Sequence, residues 1–205
     1  MKMEKLDFKK ADQALYTGKQ GRFDLIDVPP LPYLMIDGAG DPNTVPAYQR
    51  ALEALYGLSY TLKFAAKAAL GRDHVVGPLE GLWWADDLTD FAANNREGWK
   101  WCMMIRQPDW MTQDMLRAAQ GKMAAKGGDA GLVRLETLHE GLCLQVLHIG
   151  PYTAEGPLLA QMHGQEFPAR GLRAKGHHHE IYLSDPRKVA AQKLKTILRQ
   201  PVERV

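Results

Sequence analysis

Apolar and polar positions along the chain follow two rhythms: short alternating runs, and one long stretch stepping by three and four. From Arg22, "RFDLIDVPPLPYLMIDGAG" reads as extended chain broken by prolines and closed by a glycine turn. Tyr48, Leu52, Leu55, Ser59, Leu62, Ala66 and Ala69 then hold helical spacing, with Thr44 as a cap, Pro46 in the first turn and Gly71 at the end. "VVGPLEGLWWAD" and "GWKWCMMIRQP" read as strands, and a capped helix is predicted from Thr112 to about Lys126. "GLVRLETLHEG" and "LCLQVLHIG" read as paired strands around His139-Glu140-Gly141. A short helix is expected from Thr153 to about Phe167, followed by the strands "HHHEIYLSD" and "LKTILRQPV".

The order strand, helix, strand, strand thus occurs twice. "LWWADD" and "IYLSDP" both end a strand at an acidic turn, and "MIRQP" and "ILRQP" end the following strands about 93 residues apart. The expectation is an α+β fold: a duplicated unit, two antiparallel sheets around a central ligand cleft, and helices on the outer side. No linker rich in Gly, Ser or Pro separates the halves. One domain spanning 1–205 is therefore expected, with pseudo-repeats at about 31–108 and 132–202.

Composition narrows the partners. At 45% hydrophobic and 24% charged, with a net charge of +2, the chain has no basic excess for nucleic acid or an anionic membrane surface. The start "MKMEKLDFKK" lacks the apolar stretch of a signal peptide, and no apolar run reaches the roughly 20 residues that span a bilayer. Cys102 and Cys143 form no CxxC pair, as expected of reduced thiols in a cytoplasmic protein. The oligomeric state stays open, a homodimer included.

Candidate chemistry centres on "GHHHEIYLSDPRK". Alternation puts His178, Glu180, Tyr182 and Ser184 on one face of this strand and His177, His179, Ile181 and Leu183 on the other. The Ile181/Leu183 face suits a helix-covered core, so Glu180 and Tyr182 are expected to point away from the helices. Matching the two acidic turns sets Tyr182 against Trp83 and Glu180 against Gly81. Trp83, Trp84, Trp99, Trp101 and Trp110 fall in two neighbouring strand segments and their flank. Adjacent Trp83 and Trp84 must face opposite ways. Glu155, after a tight turn with Tyr152, is a second carboxylate whose helix-start position also suits the macrodipole. A metal site is not expected, because only His178 and Glu180 share a face and no HxxxH or HExxH spacing occurs. No cofactor is called for, since GxGxxG and GxxxxGK are absent.

From about Tyr33 to Val202, "PLEGLWWADD", "GWKWCMMIRQP", "HIGPY" and "HHEIYLSDPRK…LKTILRQPV" resemble the GyrI-like small-molecule-binding family, in particular its stand-alone branch. The resemblance implies a duplicated strand-helix-strand-strand fold around a cleft for lipophilic aromatic ligands. Relatives include drug-binding domains of multidrug-responsive transcription regulators, where a glutamate in an aromatic pocket binds cationic drugs; Glu180 matches it. Other relatives are a gyrase-protecting protein and hydrolases of cyclopropanoid DNA-alkylating compounds. With no helix-turn-helix ahead of the domain, the regulator role does not transfer. The resemblance implies detoxification by water addition, with Glu180 and Glu155 as catalytic carboxylates and Tyr152 or Tyr182 as a hydrogen-bond donor to the developing oxyanion. Trp83, Trp99, Trp101, Tyr182, Met103 and His178 are then the ligand-contacting residues. The alternatives are a non-catalytic drug-sequestering protein and a gyrase-protecting partner.

Overall fold

The computed structural model describes residues 5–86 and 96–205. In chain order these form β1 (Lys5–Leu6), α1 (Phe8–Ala11), β2 (Asp24–Val28), β3 (Leu31–Ala39), α2 (Pro46–Leu70), β4 (Asp73–His74), β5 (Leu79–Ala85) and β6 (Trp99–Arg106). There follow α3 (Gln113–Ala124), β7 (Arg134–Leu138), β8 (Gly141–Ile149), α4 (Gly156–Gln161), α5 (Phe167–Ala169), β9 (Leu172–Ala174), β10 (His178–Tyr182) and β11 (Lys195–Arg204). A π turn, Met162–Glu166, joins α4 to α5. The fold is α+β; β11 pairs antiparallel with β8, β9 and β10, β2 with β8, and β3 with β6 and β7, while the two-residue β1–β4 pair is parallel. Asp87 of the first acidic turn lies outside the described residues. No helix among those described is long and apolar enough to cross a membrane.

Internal contacts divide the chain into two units: Met1–Ala11, Leu31–Gly77 and Trp83–Leu138 in the first, and Asp12–Pro30, Pro78–Leu82 and His139–Val205 in the second. In the first unit β3 lies between β6 and β7, with Gly38 opposite Trp101 and Leu34 opposite Leu135. Helix α2 packs on β3 and β6 through Leu55, Leu58, Leu62 and Ala66, all without exposed surface. Its end matches the expectation, since Gly71 adopts φ 63° and stops the helix in the left-handed region. Its start does not. Val45, not Thr44, is the N-cap and makes no side-chain bond, leaving Pro46 to set the first turn. Thr112 caps α3 as expected, accepting from the Met115 N–H at 3.2 Å.

In the second unit β11 is central, with β10 on one side and β8 on the other, and β2 flanks β8. Residues 79–82 of β5 run beside β10. Phe23, Leu144, Val146, Leu198 and Val202 form one apolar face, covered by Met162 and Phe167 of the helical stretch 156–169. Residues 13–20 cover the opposite face. There Gln145 Nε2 donates to the Ala14 and Thr17 carbonyls at 3.0 and 3.2 Å, and Gln20 bridges to Leu147.

Two expectations are corrected. β7 and β8 do not form a hairpin: β7 pairs with β3, and β8 with β2 and β11. Alternation marks each segment as a strand but carries no information about its partner. The faces of β10 are also inverted with respect to the helices. Glu180 lies opposite Leu198 and Tyr182 opposite Thr196, so both share the face that 156–169 covers. Ile181 and Ile197 are fully buried on the other face. A strand covered on both sides gives no sequence signal for which cover is the helix.

Candidate functional site

Glu180, Tyr182 and His178 project from one face of β10, with Thr196 of β11 directly opposite Tyr182. The turn after β8 brings further groups to this face. Gly150 takes φ 145°, its N–H donates to the Leu194 carbonyl at 3.0 Å, and an added Cβ would meet His148 Nε2 at 3.2 Å. A single 3-10 turn, Tyr152–Ala154, then leads to Glu155 at the head of α4. The Tyr152 and Tyr182 rings meet edge to face, centroids 5.6 Å apart at 79°. The Tyr182 hydroxyl donates to Glu180 Oε2 at 2.8 Å, and His178 Nε2 lies 3.5 Å from Glu180 Oε1.

Glu155 is 5% exposed yet makes no capping bond to α4, so its helix-start position does not account for it. Burial pushes its carboxyl up to about 9, and the negative charge of nearby Glu180 adds to the rise; the Thr196 hydroxyl acts in the opposite sense. At neutral pH, Glu155 therefore holds its proton. The result is a neutral acid beside a carboxylate, the arrangement by which two like groups take different roles. Glu155 Oε1, Thr196 Oγ1 and both ring nitrogens of His178 lack a hydrogen-bond partner among the described residues. His163 lies in the π turn with its ring against Phe167 at 4.8 Å; burial and then the His178 charge lower its basicity.

The opposite face of β10 carries a second polar group that alternation did not reveal. His179, with no exposed surface, places Nδ1 3.0 Å from Glu140 and Nε2 3.0 Å from Glu80. Arg199 donates to Glu140 at 3.2 Å, to Gln145 and to the Leu15 carbonyl at 2.7 Å, and the Tyr16 hydroxyl donates to Glu80 at 3.3 Å. Burial alone would push the His179 ring down, but Glu140 and then Glu80 hold it up, while His179 and Arg199 hold Glu140 down at about 2 despite its burial. A signal did exist. Glu80 and Arg199 are charges set inside the apolar runs "LEGLWW" and "ILRQP", where a charge needs a partner.

The tryptophans named from sequence belong to the first unit. Trp83, 5% exposed, meets Trp99 at 5.7 Å and Tyr48 of α2 at 6.3 Å. Trp84 is half-buried, and Arg96 lies over the Trp99 ring at 5.4 Å. Trp101 is 1% exposed, edge-on to Tyr48 at 5.2 Å, and its ring occupies the space beside Gly38 where a Cβ would stand. Met103, two residues on and on the same side of β6, has no exposed surface. Of the nine residues named from sequence, Glu155, Glu180, Tyr152, Tyr182 and His178 thus gather in the second unit.

A model of the GyrI-like small molecule binding domain matches residues 22–203. The chain belongs to this family. Three solved structures from Listeria innocua are similar over almost the whole chain. An uncharacterized conserved protein is 41% identical with a TM-score of 0.88, covering 97% of this chain and 100% of its own. A protein described as a hydrolase is 40% identical at a TM-score of 0.85, covering 97% and 100%. Another described as a hydrolase is 39% identical at 0.86, covering 98% and 100%. No protein of curated function matches the sequence. GyrI-like membership gives the carboxyl pair and tyrosines a context of small-molecule binding.

Proposed function

We propose that this GyrI-like protein binds lipophilic aromatic compounds against the Glu155–Glu180 face and hydrolyses electrophilic cyclopropanes by adding water. The observation that carries the reading is the unequal carboxyl pair: Glu155 holds a proton, and Glu180 accepts a hydrogen bond from Tyr182 at 2.8 Å. Two relatives about 40% identical over their full lengths, described as hydrolases, support the reaction class.

In a cyclopropane conjugated to a carbonyl, water attacks the ring methylene and its oxygen forms the new C–O bond. The strained C–C bond breaks, and its electron pair moves through the conjugated system to the carbonyl oxygen. Glu180 takes the proton from the attacking water as general base. Glu155 gives its proton to the developing oxyanion, with the Tyr152 hydroxyl as a further donor. Glu180 then carries a proton that Glu155 has lost, and transfer between the neighbouring carboxyls restores both. In the second unit Tyr152 and Tyr182 offer ring surface to a flat ligand, and His178 offers a polar contact.

The reading is tested by incubating the protein with a large excess of a cyclopropanoid alkylator and following product mass. Consumption of many equivalents with gain of one water supports it. Depletion that stops at one equivalent makes the protein a sequestering binder instead.

A further inference from the structure

Thr196 has no exposed surface, yet Oγ1 has no hydrogen-bond partner among the described residues, and the same holds for Oε1 of Glu155, which is 5% exposed. The two side chains are close enough for the hydroxyl to influence the carboxyl, but they do not pair in good geometry. Leaving two buried polar atoms unpaired is costly, and native proteins normally satisfy such groups with water or a ligand. Both belong to the face already described, with Tyr182 directly across from Thr196 and Tyr152 against Tyr182.

We infer that Thr196 Oγ1 and Glu155 Oε1 form a subsite for a hydrogen-bond-accepting oxygen on the ligand, and that the matching class is an aromatic conjugated ketone. A hydroxyl and a protonated carboxyl can both donate, and a ketone oxygen has two lone pairs to receive them. The tyrosine rings beside them suit the flat apolar body of such a compound, while Glu180 repels an anionic one. The inference rests on the small-molecule-binding part of the proposed function and makes Thr196 the selector for an oxygenated ring system. A hydrocarbon of the same shape would leave both polar atoms buried and unpaired, which is where sites of this kind discriminate most.

The test uses fluorenone and fluorene, rigid tricycles that differ by the ketone oxygen, with affinities read by tryptophan quenching or calorimetry. The wild-type protein should bind fluorenone at least ~10-fold tighter than fluorene, the discrimination of about one well-made hydrogen bond. Thr196→Val, which keeps the β-branched shape, should shrink the preference to within about 3-fold, and Thr196→Ser should retain most of it. The urea midpoint of Thr196→Val should stay level or rise, because it replaces a hydroxyl without a partner by a methyl. A preference that survives Thr196→Val, or equal binding of both probes by the wild type, overturns the subsite and leaves ligand binding standing. A clear drop in the midpoint makes the hydroxyl a structural bond and also overturns it. Binding of neither probe removes the aromatic-binding reading, and the subsite with it. A Thr196-dependent ketone preference without any turnover of a cyclopropanoid leaves the subsite standing and removes the hydrolase.

Discussion

Glu155 and Glu180 interact as unequal partners: burial and the charge of Glu180 raise the Glu155 carboxyl from its ordinary 4.5 to about 9. This has a thermodynamic consequence with a definite sign. In the unfolded chain Glu155 ionises near 4.5, whereas the folded protein keeps its proton up to about 9. Between those values the folded state binds the extra proton, so the stability contributed through Glu155 declines as pH rises. Glu155→Gln keeps the shape and removes the titration. Its melting temperature relative to wild type should climb from pH 4.5 to 9 and level off above. A difference independent of pH would mean that Glu155 ionises normally in the folded protein.

The buried ring of His179 should behave in the same sense. Its contribution is complete below its ordinary 6.5 and is lost as pH rises through the raised folded value. Glu140, held down at about 2, contributes fully above its ordinary 4.5 and loses that contribution as pH falls towards 2. His179→Leu removes one partner from two buried carboxylates and should cost about 3–5 kcal/mol. Urea unfolding should show the widest gap from wild type between pH 4.5 and 6.5, narrowing on both sides. A gap under about 1 kcal/mol throughout would show that the group adds no more than an exposed ion pair.

Gly38 lies where the Trp101 ring needs room: a Cβ there would stand 2.0 Å from the ring. Both residues are held by the β3–β6 ladder, so neither can retreat without breaking register. Gly38→Ala should lower stability by roughly 1–3 kcal/mol, the usual cost of overpacking. Equilibrium unfolding followed by tryptophan fluorescence measures this, and an unchanged midpoint would mean that the ring rotates aside at little cost.

Much of the fold was legible because hydrophobic period and helix punctuation are local. Gly71 and Thr112 mark helix boundaries, and the strands containing Trp101, Glu180 and Leu198 fall where alternation puts them. The gathering of His178, Glu180 and Tyr182 on one face follows from the same alternation. The cover on that face did not. The helical stretch 156–169 and the segment 13–20 each bury apolar residues, and nothing local says which side of β10 each takes. Glu80, Glu140 and His179 were missed for a related reason: they lie far apart in sequence and meet only through strand pairing. Met103 and Trp101 carry the apolar and aromatic character of ligand contacts, but burial at 0% and 1% comes from α2 and from the gap at Gly38, which composition cannot reveal.

In the proposed reaction Glu180 acts as a base on water while Glu155 supplies the proton. Glu180→Gln preserves the side-chain shape and can still accept from Tyr182, but it cannot take a proton. The most direct measurement is turnover of an excess of cyclopropanoid alkylator by wild type and Glu180→Gln, with affinity determined in parallel. Turnover should fall by roughly 10²- to 10⁴-fold in Glu180→Gln, with affinity changed by less than about 3-fold. Unchanged turnover in Glu180→Gln, or a loss confined to affinity, would contradict the role of Glu180 as base.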